Sequence, residues 1–461
     1  MNLGFEGFES SDLNIDVEEV VVKKTKTYDR IWNMGKGGSI DGSPVIKGNV
    51  LYFGSCDNYV YAVDISNGKD LWRLRTGDMI TATPFLHEDK LFIGSFDGKF
   101  YAINSAEGSI SWTFKTGGPI FVSGTVGKNK LYVGSKDGCV YCISLGGNEI
   151  WKFRTGGPVA SLPLYYQGRL YVTSYDHNMY CLNAETGSEI WRFSTGDEMV
   201  NDVPFSIFNG MIFFSSMDSF VYAVDVETGK LAWQKKTGGF GNSGGSPTVR
   251  NGILYHGSRS GVLYAMEPET GKEIWQFNAG DAIIDQSYVF YKGQIIFGCE
   301  NGNLYSVSTE GRELWRFRTG DKIYTEPLIL NGVVYFGSWD CHIYALDLET
   351  RKELWRFASS NLTPTYKPPL NEVFEAEIKK ETHIEDAISE ERYKSRKVEN
   401  VSLSDYIITS EYSTKSEYRQ ESDYDVNFVM LETNLNLPEQ IISMNSGKTT
   451  TKTTTTTTTT C

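Results

Sequence analysis

Evenly spaced tryptophans, apolar runs of strand length, and Gly- or Asp-marked turns between the runs predict an all-β chain: an eight-bladed β-propeller of four-stranded antiparallel blades with a mostly disordered C-terminal tail. Nine of the ten tryptophans, Trp32, Trp72, Trp112, Trp151, Trp191, Trp233, Trp275, Trp315 and Trp355, fall 39 to 42 residues apart, and nine beats enclose eight units. The unit is clearest at residues 83–118, TPFLHEDKLFIGSFDGKFYAINSAEGSISWTFKTGG. Three alternating apolar runs and a Trp-bearing run make four strands. The 46 Gly against 13 Pro favour tight turns between short strands over helices.

The turns come first in the argument for each unit. Asp57-Asn58, Asp97-Gly98, Asp137-Gly138 and Asn301-Gly302 separate the second and third strands and suit the positive φ angles of a tight hairpin. Equivalent turns lie on separate blades, so these aspartates are turn formers rather than metal ligands. A four-stranded sheet of this size cannot bury both faces alone, and stacking sheets in a ring leaves only short, protected edges. The Trp of each outer strand supplies an apolar plate for blade-to-blade docking, with burial contributing roughly 1.5–3 kcal/mol. One Trp strand is surplus, because YDRIW (28–32) precedes the first inner strand. It is expected at the outer edge of the last blade, displacing the Trp355 strand or adding outside it.

The segments YAVDISNGKDLW (61–72) and YAVDVETGKLAW (222–233) resemble the Ala-x-Asp-x-x-x-Gly-x-x-x-Trp docking motif of pyrroloquinoline-quinone (PQQ)-type repeats. This quinoprotein-like family includes quinone-dependent alcohol dehydrogenases and the non-catalytic, BamB-like propellers. The resemblance covers about residues 32–357 and implies the fold far more firmly than an activity. Quinone-dependent oxidation would imply a calcium-bound quinone, a catalytic Asp and commonly an adjacent Cys pair. The sequence has no adjacent cysteines, and units of 39 to 42 residues leave no long insertion to cover a cofactor. No catalytic, cofactor-binding or metal residue is carried over, and a PQQ- or metal-dependent oxidoreductase stands as the alternative to a binding module.

Seven cysteines show no paired spacing pattern, as a reducing compartment would have it. Cys139 and Cys142 form a CxxC, yet the repeat dissolves it. The residue after the repeated Tyr is Ala62, Ala102, Cys142, Cys181, Ala223, Ala265, Ser306 and Ala345, a slot for small side chains. Cys299 stands where the other units have Ser55, Ser95, Ser135, Ser174, Ser216, Ser258 and Ser338. On a strand, positions three apart face opposite sides.

A net charge of −14 argues against a nucleic-acid partner. No segment approaches eighteen apolar residues and the first residues lack a signal-peptide pattern, so the expectation is a cytoplasmic, monomeric protein without a membrane span. Propellers bind at the mouth of the central channel, where loops from every blade converge. The loops after the Trp strands place Asp78, Asp197, Asp281 and Asp321 at one equivalent position, and the innermost strands are expected to add Asp41, Asp202, Asp285 and Glu326. Such a partial acidic ring would draw a basic protein or peptide partner.

The chain therefore divides into an N-terminal extension (1–27), the propeller (28–357) and a low-complexity tail (358–461). Spaced apolar residues, among them Val373, Phe374, Ile378, Ile384 and Ile388, predict one marginal amphipathic helix within 371–397. Four Ser-acid-Tyr units then follow at a spacing of six, in residues 404–424, before a poly-Thr end. Such a repeat reads either as duplicated disordered chain or as a multivalent motif.

Overall fold

The computed structural model describes residues 37–199, 205–238, 245, 247–283, 288–359 and 373–375. Among them, eight antiparallel sheets follow one another along the chain, seven with four strands and one with five. Blade 1 consists of Val45–Lys47, Val50–Gly54, Tyr59–Asp64 and Asp70–Arg75, side by side in that order from the axis outward. Blades 2 to 8 repeat it, with innermost strands opening at Phe85, Thr125, Leu164, Ser206, Thr248, Val289 and Leu328. Innermost strands of blades 1 and 2, 3 and 4, 5 and 6, and 7 and 8 approach one another, which sets them around the channel. The core lies between blades: the third strand of blade 1 is buried along its middle, whereas its outer strand alternates between exposed and half-buried.

Small residues follow the repeated Tyr because each stands directly across the hairpin from the Trp of its own blade. Ala62 pairs with Trp72, Cys142 with Trp151 and Cys181 with Trp191, so the slot leaves room for an indole. In every blade the outer strand then carries one extra residue just before the Trp. Such a bulge bends the exposed edge and blunts it against chance strand pairing. The CxxC is split as its spacing predicts: Cys139 packs in the cluster that includes Phe92 and Phe100, Cys142 in that of Leu170 and Tyr180.

Two fasteners recur at the seams between neighbouring blades, at opposite ends. Far from the mouth, the indole of one blade lies on a glycine of the next: Trp72 on Gly108, with its N–H donated to Ser105 O at 3.1 Å. Gly108 has φ +73°, and a Cβ there would lie 2.6 Å from the indole, so both conformation and space demand glycine. Trp112, Trp151, Trp191, Trp233, Trp275 and Trp355 dock likewise, the last onto Gly68 and Ile65 O of blade 1.

At the mouth end a turn aspartate bridges the seam. Asp137 accepts the Cys139 N–H (2.9 Å) and the Tyr141 hydroxyl (2.7 Å) within its blade, and the Gly117 N–H (2.7 Å) from the preceding blade. Burial alone would raise the Asp137 carboxyl, but these bonds hold it below the ordinary range. Asp97, Asp176, Asp218 and Asp340 take the corresponding Gly N–H of their preceding blades. The turn aspartates are therefore staples as well as turn formers.

Two expectations need correction and two are decided only in part. Trp315 does not dock on its neighbour: the docking glycine of blade 8 is replaced by Arg351, at φ 58°, and Trp315 turns into its own blade, 3.1 Å from Gln294 Oε1. Of the two placements expected for the Trp32 strand, displacement of the Trp355 strand is excluded, because Glu353–Ala358 forms the outer strand of blade 8; Trp32, and with it addition outside that strand, lies outside the described residues. Of the segment 371–397, where a helix is expected, only Val373–Glu375 is described, as a strand paired antiparallel with the outer strand of blade 7; the remainder lies outside the described residues. An open strand edge there satisfies backbone groups that three residues of isolated helix could not. Asp41 and Glu326 precede the innermost strands Val45–Lys47 and Leu328–Leu330 rather than lying on them.

The two ends of the ring meet at the closing seam. The Ser359 hydroxyl donates to Gly38 O, and Ile40 N–H to Ser338 O (3.3 Å). Ile40, Leu51 and Phe53 pack there with Tyr335, Ile343 and Trp355, which closes the ring through side chains and backbone together.

Candidate functional site

Each strand order brings two kinds of loop to one face: the turn between second and third strands, and the loop running from the outer strand back to the axis. The seams organise both. Thr76 Oγ1 lies 3.0 Å from the Asn58 carbonyl and 2.7 Å from that of Asp78, while Ser95 of the next blade donates to the Asp78 carbonyl at 3.1 Å. Cys299 makes the corresponding contact to Asp281 O through sulfur, at 3.3 Å. This scaffold fixes the backbone and leaves one residue per blade free to vary, the position after the repeated Ser.

That position holds Cys56, Phe96, Lys136, Tyr175, Met217, Arg259, Glu300 and Trp339. Around blades 2 to 4 it forms an apolar sector: Phe96 and Tyr175 pack with Phe121, Val122, Ala160 and Leu162. Lys136 lies over two of its rings, 5.1 Å from Phe96 and 4.5 Å from Phe121, within cation–π range. Around blades 6 to 8 the face is charged. Glu300 takes the Lys322 ammonium and the Tyr324 hydroxyl (2.9 Å), and Tyr324 meets Trp339 edge to face at 4.8 Å.

Asp41 closes this second sector from the entering chain. It accepts the Trp339 indole N–H, and Cys56 Sγ stands 3.7 Å away. Surrounding protein desolvates its carboxyl and raises it to about 6, against the lowering effect of both donors. The same crowding, with the negative charge of Asp41 alongside, pushes the Cys56 thiol well up. Neither group is a ready nucleophile.

The sequence-predicted acids divide three ways. Asp78, Asp281 and Asp321 are exposed on this face and Asp197 is half-buried there, each accepting the N–H of the residue after it at 2.8 to 3.0 Å. Each carboxylate thus shapes its own loop. Asp41 is drawn into the wall by Trp339, and Glu326 donates its N–H to Ser43 Oγ at 2.7 Å. Asp202 and Asp285 lie outside the described residues, as do the Ser-acid-Tyr units. Among the described residues, no group of three or more His, Cys, Asp or Glu side chains is placed to hold a metal ion, and no helix is long and apolar enough to cross a membrane.

The aromatic sectors were not anticipated. Their signal was nonetheless in the sequence, as a variable residue between the repeated Ser and the turn aspartate. Trp339, the one tryptophan off the repeat, was the plainest mark.

Fold and seams together define the class, an eight-bladed propeller of PQQ-type repeats. The family model described as outer membrane protein assembly factor BamB matches residues 18–134, 115–206, 136–282 and 259–372. The matches span more than half of the chain, which belongs to this family. Among solved structures, BamB from Moraxella catarrhalis is 16% identical with a TM-score of 0.56, over 68% of this chain and 96% of that one. The computationally designed Ika8 protein is 15% identical with a TM-score of 0.58, over 66% and 95%. At such identities the likeness is one of fold. No curated protein matches the chain.

Proposed function

We propose that the ring is a non-catalytic binding module that holds a protein or peptide partner across the channel mouth. The observation that carries this reading is the variable position between repeated Ser and repeated Asp, which gathers Phe96, Tyr175 and Trp339 on one rigid face. Rigid loops on a fixed scaffold are where propellers place specificity, and aromatic anchors provide most of the binding energy of such faces. The exposed carboxylates of Asp78, Asp281 and Asp321 favour a partner with basic side chains. Membership of a family described by an outer-membrane assembly factor agrees with a scaffold role, without naming the partner. The same proposal takes the protein as a monomer located in the cytoplasm, a compartment that suits six free, buried cysteines among the described residues.

A random-peptide display library panned on the full chain tests the site. Selected peptides should be basic and aromatic or apolar, should weaken with salt, and should lose at least tenfold in affinity for the Phe96→Ala/Trp339→Ala variant. Peptides that bind this variant and an Asp281→Lys/Asp321→Lys variant as tightly as the unaltered chain would overturn the mouth as the binding face.

A further inference from the structure

Among the described residues, seven outer strands end their sheets, and one does not. On blade 7, Glu313–Arg318 is followed outward by Val373–Glu375, in the register Trp315 to Glu375, Arg316 to Phe374 and Phe317 to Val373. The pairing lies wholly beyond the bulge, which skips the residue before Trp315.

Proximity does not explain the choice of blade. The chain leaves the ring at Ser359, the end of blade 8, whose outer strand offers the same Trp-Arg-Phe sequence at Trp355-Arg356-Phe357. The strand nevertheless lies on blade 7. What sets that blade apart is the failed dock. Arg351 in place of glycine removes the seat for Trp315, which withdraws to 1% exposure and donates to Gln294 Oε1. With Val373–Glu375 paired alongside, Trp315, Arg316 and Phe317 are buried, whereas the corresponding residues of blade 1, whose outer strand ends its sheet among the described residues, are exposed or half-buried.

The occupant's sequence is acidic and apolar; in the register Val373 stands opposite Phe317 and Glu375 opposite Trp315, while Arg316 is ion-paired to Glu313 of its own strand. The receiving strand carries Arg316 and Arg318, and the occupant comes from the sequence Glu372-Val373-Phe374-Glu375-Ala376-Glu377. Three paired residues give few hydrogen bonds, each contributing on the order of 1 kcal/mol net. Tethering therefore supplies much of the occupancy, and an untethered segment of like chemistry can compete.

We propose that the outer edge of blade 7 is a second binding site, for an extended acidic–apolar segment of a partner protein added as an antiparallel strand, with residues 373–375 as its resident occupant. Strand addition of this kind takes affinity from the backbone and specificity from alternate side chains. The site is separate from the channel mouth and stands or falls independently of it.

The probe is a fluorescein-labelled peptide of sequence LNEVFEAEI, residues 370–378, added to the full-length protein. Prolines at both Phe374 and Glu375 remove N–H groups of both strand parities, so the Phe374→Pro/Glu375→Pro protein should bind the peptide at least tenfold more tightly than the unaltered chain. Adding Arg351→Gly, which restores the indole seat, should reverse that gain, while Phe96→Ala at the mouth should leave it intact. Hydrogen exchange should show the peptide protecting residues 313–318 and not 353–358. No gain in the proline variant, equal binding of a scrambled peptide, or loss of binding on Phe96→Ala would each overturn the proposal. Matching unfolding midpoints of the variants confirm that each ring is intact.

Discussion

The seam between blades 7 and 8 and the seam between blades 5 and 6 each lack one of the two fasteners, and not the same one. Between blades 7 and 8 the indole dock is lost to Arg351, but Asp340 still takes the Gly320 N–H at 2.8 Å. Between blades 5 and 6 the reverse holds. Trp233 docks on Gly271 and donates to Pro268 O at 2.8 Å, whereas the staple position is Ser260 and Tyr264 turns to Thr237 O instead. Repeat arrays hold together by nearest-neighbour interfaces; here an interface survives on either fastener, so the two act independently.

Removing the fastener that remains should cost the most. Asp340 is 1% exposed and accepts from Gly320 N, His342 N (3.1 Å) and the Tyr344 hydroxyl (2.5 Å). Asp340→Ala strands all three donors, the Tyr344 hydroxyl buried and the two N–H groups partly so, and at roughly 1–3 kcal/mol for each unsatisfied group the loss should reach about 4 kcal/mol. Ser260→Ala at the other seam should cost under about 1 kcal/mol, since only a hydroxyl contact to Ser258 is removed. Urea unfolding midpoints of the two variants compare them directly. Equal losses would mean that the staple adds nothing across the seam.

Acid should find the 5–6 seam first. His256 is 1% exposed, stands across the hairpin from Tyr264, and lies 3.3 Å from Thr237 Oγ1 and 3.2 Å from Gly245 O. Burial pushes its imidazole down to about 3, with Lys235 adding to the shift and the Gly245 carbonyl opposing it. Between pH 6.5 and 3 the unfolded chain binds this proton and the folded chain does not, so stability falls as pH drops through that window, by roughly 1.4 kcal/mol per pH unit. Phe53, Phe214, Phe297 and Phe336 hold the equivalent position, and His256→Phe should flatten the dependence. Asp41 at the closing seam has the opposite sign. Its carboxyl, raised to about 6, gives a contribution that is present below pH 3.8 and lost as pH rises toward 6, and Asp41→Asn should remove it.

Gly271→Ala tests the other fastener of the same seam. The residue has φ +67°, and a new Cβ would lie 2.7 Å from the Trp233 ring. A left-handed non-glycine residue costs roughly 1–2 kcal/mol before any displacement of the indole, so a loss of about 2 kcal/mol is expected by thermal unfolding. A neutral outcome would show that neither the glycine nor the indole seat it forms is needed at this seam.

What was legible in the sequence follows the same division. Periodic features could be read because eight copies average out local accidents: the Trp beat, the small slot opposite it, and the turn aspartates all appear in register. Trp315 could not be placed from its own position, since its fate is set by a residue thirty-six positions later, Arg351, across a seam. The strand at Val373–Glu375 was hidden for a related reason. Three residues have no period to measure, and an open edge elsewhere, not local propensity, made them extended. The mouth acids were found by register, but their bonds to adjacent N–H groups and the capture of Asp41 by Trp339 depend on tertiary contacts. The aromatic sectors lay in the residues that a repeat comparison discards as variable.

The smallest effect belongs to a position where the repeat itself supplies the control. Cys299 fills the slot of Ser95 and Ser338, is fully buried, and contacts the carbonyls of Asp281 (3.3 Å) and Ala282 (3.6 Å) through sulfur. Ser95 makes the corresponding contacts to Asp78 O and Met79 O at 3.1 and 3.4 Å. Cys299→Ser therefore shortens an existing interaction, exchanges a weak donor for a stronger one, and leaves no cavity larger than the difference between sulfur and oxygen. The change in stability should stay within about 1 kcal/mol of zero, read as the shift in the urea midpoint. A loss comparable to that of Gly271→Ala would show that sulfur is required here by the packing around Tyr288, Phe297 and Tyr305, and that this seam is not interchangeable with its neighbours even where the backbone is.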